Sequence, residues 1–175
     1  RKAFQVQLRA WSRFARDKPG AKLYIHTDPT RVYGGSEFSD LLKRLDIQDR
    51  VYFPHRYQYL LGHPSEYMSM LYNAADLYLG AAMSEGFGIP IIEAQACGTQ
   101  VIVNNCSSMP ELVRAGIAVD PADMFWSPLG AWQWWPDVEG IYEALEVMYT
   151  SRHENGWNTD DRRGLQDQIH AEYSW

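Results

Sequence analysis

Apolar positions in this chain recur with a helical period in some stretches and as short unbroken runs in others. Phe4, Leu8, Trp11 and Ala15 share one face of residues 2–16, with Arg9, Arg13 and Arg16 elsewhere. This spacing predicts an amphipathic helix, one that starts without a capping residue. Pro19-Gly20 breaks the chain, and Lys22 to Thr27 reads as a strand, with Asp28-Pro29 turning after it. Tyr33-Gly34-Gly35 is a loop from which Ser36 and Glu37 start a helix carrying Phe38, Leu41, Leu42 and Leu45. Arg50 to Phe53 reads as a short strand stopped by Pro54. A helix from Pro64 or Ser65 to about Asn73 then packs Tyr67, Met68, Leu71 and Tyr72.

Residues 76–105 read as strand, glycine loop, helix and strand. The apolar run Leu77-Tyr78-Leu79 passes through Gly80-Ala81-Ala82 to Ser84-Glu85-Gly86-Phe87-Gly88, then to Pro90 through Gly98 and Val101-Ile102-Val103. Pro90 suits a first helical position because its missing N–H is no loss there, and Gly98 suits the left-handed residue past the helix end. About two turns of helix fit between them. Glu85 falls in the loop and Glu93 in the first helical turn, where the helix dipole alone would favour a carboxylate. Gly86 and Gly88 flank one aromatic at the end of a buried strand and just before a helix, so they bare backbone N–H groups to the crevice. An anion is the natural guest.

Further on, Pro110 to Val113 predicts a short helix and Gly116 to Pro121 a last small strand and turn. Alternating helices and strands imply an α/β fold with a parallel, doubly wound sheet. Residues 123–136 break the rhythm. Phe125, Trp126, Trp132, Trp134 and Trp135 are interleaved with Pro128, Gly130 and Pro136, which predicts an irregular Trp-rich loop: a small satellite core, a partner surface, or aromatic faces that stack on sugar rings. Val138, Ile141, Leu145 and Met148 mark a further helix, and Thr159 to His170 another with Leu165 and Ile169 inward.

The pair Glu85 and Glu93, set within Glu85-Gly86-Phe87-Gly88 and Glu93-Ala94-Gln95-Ala96-Cys97-Gly98-Thr99, resembles the signature of the retaining GT-B glycosyltransferases of family 4. The likeness is specific over residues 72–121 and loose from residue 4 onward. It implies a Rossmann-like half of a two-domain enzyme that moves a sugar from a nucleotide sugar, such as a UDP- or GDP-sugar, to an acceptor hydroxyl. By the same resemblance Glu85 contacts the transferred sugar, Gly86, Phe87 and Gly88 turn N–H groups to the sugar and diphosphate, Glu93 takes the ribose hydroxyls, and Tyr57 matches a position that contacts the base. It also implies retention of anomeric configuration with no protein nucleophile, and no metal or other cofactor.

In the family a strand and a basic loop precede the first helix, and the terminal helix returns to the acceptor domain from about Tyr173-Ser174-Trp175. The resemblance therefore implies a truncated carboxyl-terminal domain that lacks its amino-terminal acceptor domain, binds nucleotide weakly and transfers nothing alone. Some positions depart from the family pattern. Ala81-Ala82 replaces a Pro-Ser, Gln100 replaces a proline, and Ser107-Ser108-Met109 replaces a Gly-Gly before Pro110-Glu111.

Composition narrows the alternatives. At 175 residues, 46% hydrophobic and 22% charged, the chain is one ordinary ordered domain. A net charge of −6 argues against nucleic acid as a partner. No apolar run is long enough to span a bilayer and no signal peptide opens the sequence, which leaves peripheral membrane contact only through the absent domain. Cys97 and Cys106 lack metal-ligand spacing and suit a reducing cytoplasm. Glu111 reads as an N-terminal helix residue or a ligand, and His26, His55 and His63 have no partner visible in the sequence. Two other readings stand beside the enzyme half: a catalytically inactive nucleotide-binding or interaction module of the same fold, and a sugar-nucleotide epimerase of similar architecture. Fold alone separates none of them.

Overall fold

The computed structural model describes residues 2–30 and 38–173. The loop Tyr33-Gly34-Gly35, the helix start at Ser36 and Glu37, and the closing Ser174-Trp175 lie outside the described residues. In chain order the elements are α1 (Phe4–Phe14), β1 (Leu23–Tyr24), α2 (Ser39–Arg44), β2 (Val51–Tyr52), α3 (Arg56–Leu61), α4 (Ser65–Ala74), β3 (Leu77–Gly80), α5 (Ile89–Ala96), β4 (Gln100–Asn104), β5 (Gly116–Val119), β6 (Pro121–Trp126), β7 (Trp132–Pro136), α6 (Val138–Asn155) and α7 (Thr159–Tyr173). Strands separated by helices pair in parallel, as the alternating pattern predicts. They form two ladders: β1 with β2, and β3-β4-β5 with β4 central.

The first helix buries the predicted face. Leu8, Trp11 and Ala15 are buried with Phe38, Leu42, Ile102 and Ile141 in the larger core. The helix has no side-chain cap, and Ala3 before it takes a left-handed conformation with φ 51°. α6 lies against α1, with Phe14 edge-on to Tyr149 at 5.6 Å and an Arg13–Glu139 ion pair across the two helices. A second core, of Ala82, Ile91, Ala94, Val101, Val103, Met109 and Leu112, fills the space between α5 and the β3-β4-β5 ladder. Leu165 and Ile169 of α7 are buried, as their spacing predicts.

Several elements differ from the sequence expectation. Residues 123–136 are no irregular loop, because Pro121–Trp126 and Trp132–Pro136 pair as an antiparallel hairpin. Pro121 and Pro136 oppose each other at its open end, while Pro128 and Gly130 fall in the turn, so no proline interrupts the ladder. The strand expected over residues 22–27 contracts to Leu23–Tyr24, although the Ile25 N–H still donates to the Tyr52 carbonyl at 2.9 Å. Residues 110–112 form a 3-10 turn, and α3 was not foreseen because none of its residues is buried. α5 begins at Ile89 with Gly88 as its cap, so Pro90 is its second residue and Glu93 lies one residue deeper than expected, just past the first turn. Its carboxylate is thus too far along for the dipole explanation.

Gln95 joins α5 to the chain beyond it. Its Nε2 donates to the carbonyls of Ile91 and Leu112, and its Oε1 accepts from the N–H groups of Arg114 and Ala115 at 2.7 and 3.1 Å. The residue is fully buried. Gln95→Leu keeps the volume and leaves two part-buried N–H groups and the Leu112 carbonyl without their partner, so denaturant unfolding should show a loss of about 2 kcal/mol. An unchanged unfolding midpoint would refute this role.

Candidate functional site

β3 and β4 run in parallel with Gly80 opposite Val103, so their carboxyl ends open side by side at one edge of the ladder. The loops beyond them are hydrogen-bonded together. The Glu85 N–H donates to Ser107 Oγ at 3.1 Å, and Ser108 Oγ reaches the carbonyls of Glu85 and Phe87 at 3.2 and 2.7 Å. Ser107 and Ser108, which depart from the family pattern, therefore act as a clamp that fixes the glycine loop. Ser107 holds a left-handed backbone, φ 51°, to do so.

Each glycine in this region has its own reason. At Gly80 a Cβ would stand 2.4 Å from the Tyr78 ring, which folds back over the strand end. Gly88 has φ 102° and would press a Cβ against Ile91 and Leu112. Gly86 meets nothing within 4 Å, so packing does not demand a glycine there. It leaves open space in front of the loop, next to the exposed Phe87. Gly86→Ala should leave stability unchanged and weaken ligand binding, whereas Gly88→Ala should cost about 1–2 kcal/mol of stability through its left-handed backbone. Thermal unfolding and ligand titration of both variants measure the difference; equal destabilisation would contradict it.

Glu85 and Glu93 line one cavity of about 1310 Å³, together with Lys2, Tyr72, Tyr78 and Gly88. Tyr72 donates its hydroxyl to Glu93 Oε2 at 3.0 Å, from α4 to α5. The Tyr78 phenol lies buried where both carboxylates act on it. Burial first, then Glu85 and Glu93, push its pKa up. Burial and Glu93 do the same to Tyr72. Both phenols therefore stay protonated as donors at neutral pH. The two carboxylates predicted from sequence thus converge on a shared hollow.

One residue of this site was not foreseen. Lys2 Nζ lies 2.6 Å from Glu85 Oε1, with the lysine half-exposed at the cavity edge. The Gln7 side chain ties the same end of α1 to the Ala81 carbonyl at 3.1 Å. The resemblance implies a basic loop ahead of the first helix, whereas this lysine stands at the entry to α1 itself. The visible signal was a cation two residues ahead of an uncapped helix.

The remaining candidates do not join the pair. Tyr57 lies exposed on α3 and is not among the residues lining this cavity. Glu111 is exposed in its 3-10 turn, where its carbonyl accepts from Arg114. His26 and His63 do have partners: Tyr24 Oη lies 3.2 Å from His26 Nδ1, the two imidazoles approach to 5.2 Å, and His63 stacks on Tyr67 at 4.2 Å. Burial, reinforced by His63, lowers the His26 pKa. Burial raises the Cys106 thiol to about 11. Among the described residues no cluster of three His, Cys, Asp or Glu side chains is placed to hold a metal, and no helix is long and apolar enough to cross a membrane.

A parallel α/β half with its glycine loop and paired carboxylates at the carboxyl ends of the strands has the form of one half of a GT-B protein. The family described as "Glycosyl transferases group 1" matches residues 1–127, and the chain belongs to that family. The O-antigen chain mannosyltransferase B of Escherichia coli is 43% identical over 68 residues, 38% of this chain and 18% of that protein. That match spans under a fifth of the relative's length. The C-terminal domain of a group 1 glycosyl transferase, LpcC of Francisella tularensis, superposes with TM-score 0.71 at 18% identity, over 98% of this chain and 80% of that one. Anabaena Alr3699/HepE in complex with UDP-glucose superposes with TM-score 0.67 at 18% identity, over 98% of this chain and 41% of that one.

Proposed function

We propose that this chain is the donor-binding domain of a retaining glycosyltransferase that moves a sugar from a nucleoside-diphosphate sugar to an acceptor hydroxyl. The observation that carries the reading is the convergence of Glu85 and Glu93 on one cavity beside an open glycine loop. An ionised carboxylate accepts from two adjacent hydroxyls at once, and such charge-assisted bonds are about twice as strong as neutral ones. In this reading Glu93, oriented by Tyr72, takes the ribose diol and Glu85 takes hydroxyls of the transferred sugar. The N–H groups of Gly86, Phe87 and Gly88, at the start of α5, face the diphosphate. The UDP-glucose carried by the Anabaena neighbour supports a ligand of this class.

Lys2 gains a purpose in this scheme. Its ammonium pairs with Glu85 at the cavity edge and in this reading turns toward the diphosphate of a bound donor. The acceptor oxygen attacks the anomeric carbon on the face from which the diphosphate departs. The bond to the phosphate oxygen breaks as the new one forms, and the hydroxyl proton passes to the departing diphosphate. No enzyme nucleophile is required. Tyr57, exposed on α3, is assigned to the nucleobase in this scheme, and the protein to the cytoplasm.

The domain in this reading is completed by a strand that precedes Arg1. The cavity is larger than the roughly 300–1,000 Å³ of small-molecule sites, and its inner part lies between β1 and β3. Among the described residues each of these strands pairs on one side only, and no ladder joins them. Both face the gap with apolar residues, Leu23 and Ile25 from one and Leu77 and Leu79 from the other. A parallel strand entering α1 at the mouth, beside Glu85, would pair with both. Hydrogen exchange at Leu23–Tyr24 and Leu77–Gly80 should then slow at least tenfold in the full-length protein relative to residues 1–175. Equal exchange in both would sink this completion.

Calorimetry with UDP, GDP and ADP on the full-length protein tests the function. One nucleotide should bind, Glu93→Ala should weaken it about tenfold or more, and Glu85→Gln should spare free-nucleotide affinity while lowering sugar transfer. Absence of nucleotide binding at millimolar concentration leaves the inactive module as the better reading. Equal loss of affinity in both variants would overturn the two roles.

A further inference from the structure

The hairpin of β6 and β7 takes no part in the donor site described above, yet it is fastened to that site. The Trp134 N–H donates to the Met83 carbonyl at 3.0 Å. Asn104, fully buried, donates through one Nδ2 to the carbonyls of Ala82 and Trp134 at 3.0 and 3.2 Å. Ala82 and Met83 are the residues that lead from β3 into the Glu85 loop. Trp134 packs inward against the second core, while the far end of the hairpin projects Trp126 and Trp132, 60% and 48% exposed. These two stand directly opposite each other in the ladder, edge to face at 5.4 Å and 80°. That geometry leaves each indole at least one face that the other does not cover.

Charge and size together say what such a surface takes. From residue 115 to residue 151 the chain has no lysine or arginine, while Asp120, Asp123 and Asp137 on and beside the hairpin are acidic; Glu139 and Glu146, on α6, are paired with Arg13 and Lys18. Anionic lipid surfaces and nucleic acids call for the opposite sign. A two-stranded ladder of five residues is roughly 17 Å long and about 10 Å wide. Its face falls well short of the about 800 Å² per partner of a standard protein interface. Flat, uncharged, amphipathic indole faces over so small an area match the apolar C–H faces of a few pyranose rings.

We propose that Trp126 and Trp132 form a platform for a neutral oligosaccharide, and that in the transfer reaction this platform steadies the outer sugars of an acceptor glycan whose reacting end is held by the amino-terminal acceptor domain. Saccharide binding stands on the hairpin alone; the acceptor role rests on the donor reading above. The tether through Trp134, Asn104 and Ala82–Met83 fixes the platform to the loop carrying Glu85, so bound glycan and bound donor share one rigid reference.

The test is calorimetric titration of the full-length protein, without nucleotide, against mannotetraose, maltotetraose and chitotetraose, with Trp126→Ala/Trp132→Ala and Trp126→Tyr/Trp132→Tyr variants beside the wild type. At least one saccharide should bind in the millimolar range, weaken tenfold or more in the alanine pair, and recover most of its affinity in the tyrosine pair. Glu93→Ala should bind that saccharide as the wild type does, so failure of the donor reading and failure of the platform are read separately. If the donor reading holds, the alanine pair also raises the acceptor KM and leaves the donor KM alone. The proposal is overturned if none of the three saccharides binds, if the alanine pair binds as well as the wild type, or if those substitutions instead abolish binding to phosphatidylcholine vesicles. Should the alanine pair fail to fold, the tyrosine pair decides: saccharide affinity as tight as or tighter than one tenth of wild type supports the platform, and a greater loss refutes it.

Discussion

The parallel register of β3 against β4 is the constraint on which the rest of this structure depends. Because Gly80 pairs with Val103, two loops leave the ladder at one edge and lie close enough for Ser107 and Ser108 to bond the backbone of Glu85 and Phe87. A one-residue slip would turn the strand's side chains to the opposite face. The Tyr78 ring, which folds over Gly80, would then leave the hollow that both carboxylates line. The glycine loop owes its shape to hydroxyl clamps and one left-handed glycine, and Gln95 holds the next helix to the chain just before β5 with three hydrogen bonds. Chemistry at the strand ends is thus a consequence of pairing decided in the interior.

Electrostatically the site is balanced rather than acidic. Glu85 faces Lys2, and Glu93 accepts from the Tyr72 phenol, so each carboxylate already has a donor that a ligand hydroxyl can join or replace. Burial keeps Tyr72 and Tyr78 protonated, which fixes them as donors across the physiological range. The overall negative charge of the chain does not oppose a diphosphate here, because the local cation and the start of α5 set the field at short range.

The legible parts of the fold were those whose determinants are local. Glu85, Gly86, Gly88 and Glu93 fall within nine residues, and the spacing of Phe4, Leu8 and Trp11 records a single buried face. The illegible parts were decided at a distance. Pro121 and Pro136 look like strand breakers until they are seen opposite each other at the open end of a hairpin, where neither owes the ladder a hydrogen bond. α3 buries none of its residues, so no periodicity announced it. Nothing near Lys2 in sequence reveals Glu85, which approaches it from 83 residues away. Pro90 suits a first helical position, but the helix begins one residue earlier, at Ile89 under the Gly88 cap, and this carries Glu93 just past the first turn.

The central claim, that two carboxylates grip the hydroxyls of an activated sugar from one hollow, is tested most directly by a cycle in which both partners of one contact are removed. The nucleotide that binds best is compared with its 2′,3′-dideoxy analogue on the full-length wild type and on Glu93→Ala. If Glu93 holds the ribose diol, the analogue binds the wild type about tenfold or more weakly, and the penalty largely vanishes in the variant. A penalty of the same size in both proteins would contradict the account.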